Sequence, residues 1–128
     1  MIYILLNAGP ILLGTLAGLA AGLLFLRLFG TPLPRAPVLA VLALAEAWLA
    51  AILAGALILA PDEAPPLVMA LLTPVVIWAG FVLPAVAATH ALRGARTRLA
   101  LLDPLHWLVV MLVQAAVFVS VGLVPPPR

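Results

Sequence analysis

A chain of 128 residues that is 67% hydrophobic and 8% charged carries far less charge than a water-soluble domain, where about a quarter of residues are charged. The formal net charge is +2 and every basic residue is an arginine. Six scattered arginines exclude the basic patch of a nucleic-acid binder and serve better as markers of membrane orientation, while the absence of cysteine excludes disulfides, thiolate metal sites and thiol nucleophiles.

Four apolar stretches each exceed the roughly 20 residues needed to span a bilayer. They predict helices over about Ile2–Phe29, Pro37–Ala60, Pro66–Leu92 and Pro104–Val124. The fold class is therefore all-α: one transmembrane domain over residues 1–128, a four-helix antiparallel bundle. No basic region precedes the first run, which also exceeds a signal-peptide core, so Met1 is expected to be the mature start, with no soluble domain.

The first segment carries Gly14, Gly18 and Gly22 at four-residue spacing, a small-xxx-small stripe that another backbone can approach closely. Pro10 predicts a kink in one long helix; the alternative is that Asn7 caps a shorter one. The second segment carries Ala43, Ala47, Ala51 and Gly55 at the same spacing. The economical expectation is that these two stripes face each other in a tight hairpin. The other is that one of them docks a separate subunit.

Glu46 is the only charged residue of the second segment. It stands roughly 14 Å inside, near the middle of a hydrocarbon layer about 30 Å thick. A carboxylate there costs about 2.5–3.5 kcal/mol on insertion scales, so it needs a partner, a proton or a water. Gln114, in the fourth segment, lies at matching depth and is its candidate partner. The bland reading of the pair is a structural hydrogen bond between helices; the functional one is a proton-coupled carboxyl in a transport path.

Pro74 and Pro84 predict a kinked or irregular third segment. Trp48 and Trp78, near the midplane, are expected to fill a core or to help satisfy Glu46; a pigment or quinone groove is the alternative. Near the cytoplasmic level, His90 ends the third segment and His106 opens the fourth. Asp103 precedes Pro104 as an expected N-cap. The expected reading of His90, Asp103 and His106 is an interfacial polar cluster. Two imidazoles on neighbouring helices also fit haem or metal ligands, but no cofactor is assigned.

Orientation follows from the arginines. Arg27, Arg35, Arg93, Arg96 and Arg98 flank the first and third links, whereas the other side holds Asp62, Glu63 and Arg128. The positive-inside rule places the first and third links in the cytoplasm and both termini outside, in a bacterial inner membrane. Tyr3 then fits the outer aromatic belt and Trp107 the inner one. No hydrolase elbow, phosphate loop, zinc-protease motif or dinucleotide fingerprint is present, so no enzyme is expected.

Gly80-Phe81-Val82-Leu83-Pro84, followed by Leu101-Leu102-Asp103-Pro104-Leu105-His106-Trp107-Leu108, resembles a family of uncharacterised bacterial four-helix membrane proteins. The resemblance covers roughly the last 50 residues; it implies a fold, with an amphipathic entry to the fourth helix, and no mechanism. The small multidrug exporters are also four-helix chains with one membrane glutamate, but theirs lies in the first helix. The leading functional expectation is a non-enzymatic accessory subunit packing beside other membrane subunits, with lipid or pigment as candidate occupants of its grooves. The competing one is a small proton-linked transporter or channel acting as an oligomer through Glu46.

Overall fold

Long apolar runs satisfy their backbone most completely as helices, and helices are what form. A computed structural model describes residues 2–60 and 64–127. In chain order these hold α1 (Ile2–Leu6), α2 (Ala8–Leu28), α3 (Ala36–Ile58), α4 (Pro66–Ile77), a π turn (Trp78–Val82), α5 (Leu83–Arg93) and α6 (Thr97–Val121). The described residues contain no strand. Four spans, Ala8–Leu28, Ala36–Ile58, Pro66–Arg93 and Thr97–Val121, are long and apolar enough to cross a membrane. The acidic turn at Asp62 and Glu63, and Arg128, lie outside the described residues.

The first segment breaks at Asn7, with φ −110° and ψ 20°, not at Pro10 where a kink was expected. The two positions are physically one event. A proline ring clashes with the carbonyl four residues earlier, here Leu6, and the chain yields just ahead of it. Asn7 does not cap α2 with its side chain. Instead its amide nitrogen donates to the carbonyls of Tyr3 and Val124, both at 2.8 Å. Its carbonyl oxygen accepts the Val124 N–H at 2.7 Å. Gly122, at φ 85°, turns the chain after α6 so that Val124 can reach Asn7. At the other end Arg98 donates to the Phe29 carbonyl at 2.5 Å.

The fourth span corrects its expected start. It begins at Thr97 and takes Pro104 into its interior. Leu99-Ala100-Leu101-Leu102 are strong helix formers that close the first turns without a proline at the start. Asp103 is consequently not an N-cap. The third span is irregular, as Pro74 and Pro84 imply. With no N–H at Pro84, the ladder shifts, and Leu83 N–H bonds to the Trp78 carbonyl in a π turn.

The core lies where α2, α3 and α6 meet. Ala50, Leu53, Ala54, Met111, Ala115 and Phe118 are nearly inaccessible. The third span stands at its edge: 11% of its apolar stretch is buried, against 39% in α6.

Candidate functional site

The glycine stripe of α2 determines what fits beside it. A Cβ at Gly14 would stand 2.8 Å from the Phe118 ring, and one at Gly22 would stand 2.7 Å from His106 Nε2. One at Gly18 would stand 2.8 Å from Glu46 Oε2, 3.0 Å from Gln114 Nε2 and 3.2 Å from Val110. Real Cβ atoms essentially never come this close to a neighbour, so only glycine fits without a shift. The expected stripe-on-stripe hairpin is therefore corrected. The α2 glycines receive the large side chains of α6, with Glu46 reaching in from α3. On α3, Gly55 and Ala51 meet Tyr3 of α1. Tyr3 lies 2.9 Å from where a Gly55 Cβ would be, and its hydroxyl donates to the Ala51 carbonyl at 3.3 Å. Ala51 is buried and Ala47 half-buried. Tyr3 is thus a packing residue of the bundle.

Glu46 and Gln114 do come together, deep in the bundle, with 1% and 0% of their surface exposed. The bond between them is not the one expected. Gln114 Nε2 donates to the backbone carbonyl of Glu46 at 3.2 Å, and the carboxyl does not take part. Glu46 Oε2 and Gln114 Oε1 have no hydrogen-bond partner in the structure. Buried polar atoms are nearly always satisfied, so this pair of acceptors calls for a proton on the carboxyl or a water between them.

His106 stands one helical turn along the same stripe, about 5.4 Å from the Gly18 level. It is 7% exposed. Its ring packs edge-on against Phe25 and Trp107, with centroids 5.8 and 5.4 Å away. Beyond it opens a cavity of about 490 Å³ whose wall includes His90, Arg93, Asp103, His106 and Trp107. There His90 Nε2 and Asp103 Oδ2 are 2.8 Å apart. Along one file from the bundle centre to an open vestibule stand Glu46 and Gln114, then His106, then His90 and Asp103, with the buried Val110 side chain between Gln114 and His106 at the α2 glycines.

Two other hydroxyls of the spans are satisfied within their own helices. Thr15 donates to the Ile11 carbonyl and Ser120 to that of Ala116, at 2.8 and 2.7 Å. The tryptophans divide: Trp78 packs against the core as expected, and Trp48 does not. Trp48 is 60% exposed on the outer face, not in the core. Trp78 donates its indole N–H to the Pro104 carbonyl at 2.6 Å and does not serve Glu46. No group of three or more His, Cys, Asp or Glu residues gathers as a metal site among the described residues. Sequence reasoning missed the part played by Gly18 and Gly22 as the floor of the polar file. Their spacing gave the signal, since they share one helical face, but nothing local names the side chains that fill it.

The fold and the site define a multi-pass helical membrane protein with a carboxyl at its centre. No family model matches the chain, and no curated protein or solved structure matches it either.

Proposed function

We propose that this protein is a small proton-linked membrane transporter or channel in which Glu46 is the proton-exchanging group. The observation that carries the reading is the buried Glu46 carboxyl, whose Oε2 has no hydrogen-bond partner. A carboxyl kept for structure alone would normally be fully bonded. An ionisable group inside a membrane span is by default a functional one. Toward one surface from Glu46 lie His106 and then the His90–Asp103 pair, titratable groups that a water chain past Val110 would join into a proton path.

The bundle is antiparallel, with both termini on the non-cytoplasmic side of a bacterial inner membrane. Support for the packing comes from the order of contacts, in which Gly14, Gly18 and Gly22 meet Phe118, Gln114 and His106 in turn. Asn7 bonds Val124 at one end and Arg98 bonds Phe29 at the other. Support for the orientation comes from the arginines of the first and third links. The vestibule then faces the cytoplasm. Single cysteines at Thr31 and Thr97 should resist an impermeant thiol reagent on whole cells, and one at Ala64 should react. The reverse pattern refutes the orientation.

The functional test is proton flux into vesicles reconstituted with purified protein, driven by an imposed potential and read with an enclosed pH dye. Wild type should exceed empty vesicles, and Glu46→Gln should fold normally but match them. If wild type also matches them, and the protein runs on a native gel as one stoichiometric part of a large assembly, the accessory-subunit reading replaces this one.

A further inference from the structure

The vestibule does not end at its polar wall. A second, apolar groove of about 470 Å³ runs along the outer face between α3 and the third span. Both spaces are bordered by Ala85, Val86 and Trp107, so they adjoin along the side of the bundle. The upper part is walled by Trp48, Phe81 and Ile52, with Trp48 60% and Phe81 74% exposed. The lower part holds the charged groups.

Two of those charges are fixed and opposite. Asp103 has a side chain 44% exposed; its Oδ2 takes the His90 bond, which leaves Oδ1 for a ligand. Arg93, at the C-terminal end of α5, is exposed on the same wall. A carboxylate and a guanidinium on the wall of one cavity balance each other. They repel neither sign overall, but they match a headgroup carrying both signs at separate positions. The guanidinium fork suits a phosphate, and a carboxylate suits a primary ammonium that can donate hydrogen bonds. The apolar groove leads away from this point toward the bundle's middle, which is the course of an acyl chain whose phosphate sits at the membrane surface.

We propose that these two adjoining spaces together form a binding site for a zwitterionic phospholipid of the phosphatidylethanolamine type. The phosphate sits on Arg93, the ammonium on Asp103, and one acyl chain lies along Phe81 and Trp48. The site shares Asp103 and its cavity with the proposed proton path, but its test reads lipid retention and does not depend on proton exchange at Glu46.

The test is native mass spectrometry of the purified chain titrated with phosphatidylethanolamine, phosphatidylcholine and phosphatidylglycerol of the same acyl composition. Phosphatidylethanolamine should be retained over each of the others by roughly threefold, the scale of a partly exposed ion pair. Asp103→Asn should remove its advantage over phosphatidylcholine, whose quaternary ammonium donates no hydrogen bond. Arg93→Gln should weaken the retention of all three phosphate heads. Phe81→Ala should weaken all three equally and leave their ranking unchanged. If Asp103→Asn fails to fold, Arg93→Gln and Phe81→Ala, at exposed positions, decide the matter. Equal retention of the three lipids by wild type, or no change in Arg93→Gln and Phe81→Ala, overturns the proposal.

Discussion

The α2–α3–α6 core and the third span are built from similarly apolar residues but packed by opposite means. In the core, glycine and alanine let helices close until Gly18 touches Glu46 and Gln114. The third span has two internal prolines, a π turn and little buried surface. Among the described residues its side-chain hydrogen bonds to the rest of the bundle are Trp78 to Pro104 and His90 to Asp103. Both land on adjacent residues of α6. In lipid, where apolar burial drives no association, close packing and hydrogen bonds decide which helices are held. This bundle has a closely packed trio holding the carboxyl and a third span hydrogen-bonded to it at one place, beside the vestibule.

The strongest way to break the contrast is to substitute the glycines on either side of it. Gly18→Leu should cost at least the upper part of the roughly 1–3 kcal/mol of overpacking, because a single Cβ already meets Glu46 and Gln114. Gly80→Ala, with nothing within 4 Å of its Cβ, should leave thermal unfolding in detergent unchanged or slightly raised. Equal losses at the two positions would erase the distinction.

Asn7→Leu comes next. It removes both bonds to Val124 and strands its backbone N–H and carbonyl, so a loss of about 1–3 kcal/mol is expected in an unfolding titration. Trp78→Phe keeps the ring volume nearly intact and removes one bond to Pro104. It should lower stability by about 0.6–1.7 kcal/mol. It should also speed amide exchange in the third span and leave α6 unaffected. The smallest effect is expected for Asp103→Asn, which weakens a partly exposed pair worth about 0.2–1 kcal/mol.

What the sequence disclosed follows the same division. Four long apolar runs dictate four spans, and proline inside the third dictates irregularity; both are properties of the chain alone. The face of the α2 glycines was legible from their spacing, but not their neighbour. Periodicity selects a face, whereas α6 and Glu46 come to it through contacts about a hundred and about thirty residues away. Pro104 misled because proline marks a helix start only when the residues ahead of it are not helical, and Leu99–Leu102 are. Trp48 misled because depth in a membrane says nothing of whether a side chain faces protein or lipid. The shared depth of Glu46 and Gln114 was legible. The choice of the backbone carbonyl over the carboxyl as acceptor was not, since it depends on Gly18 admitting both side chains.

A proton-exchanging Glu46, as proposed, takes up and releases protons inside the bundle. Infrared difference spectra of the reconstituted protein between acid and alkaline buffer test it directly, through the carboxyl C=O stretch. Proton exchange at Glu46 should give a band that titrates reversibly and is missing in Glu46→Gln, alongside lost proton flux. A band that persists unchanged across the whole range would contradict it and leave Glu46 as a fixed neutral group of the helix interface.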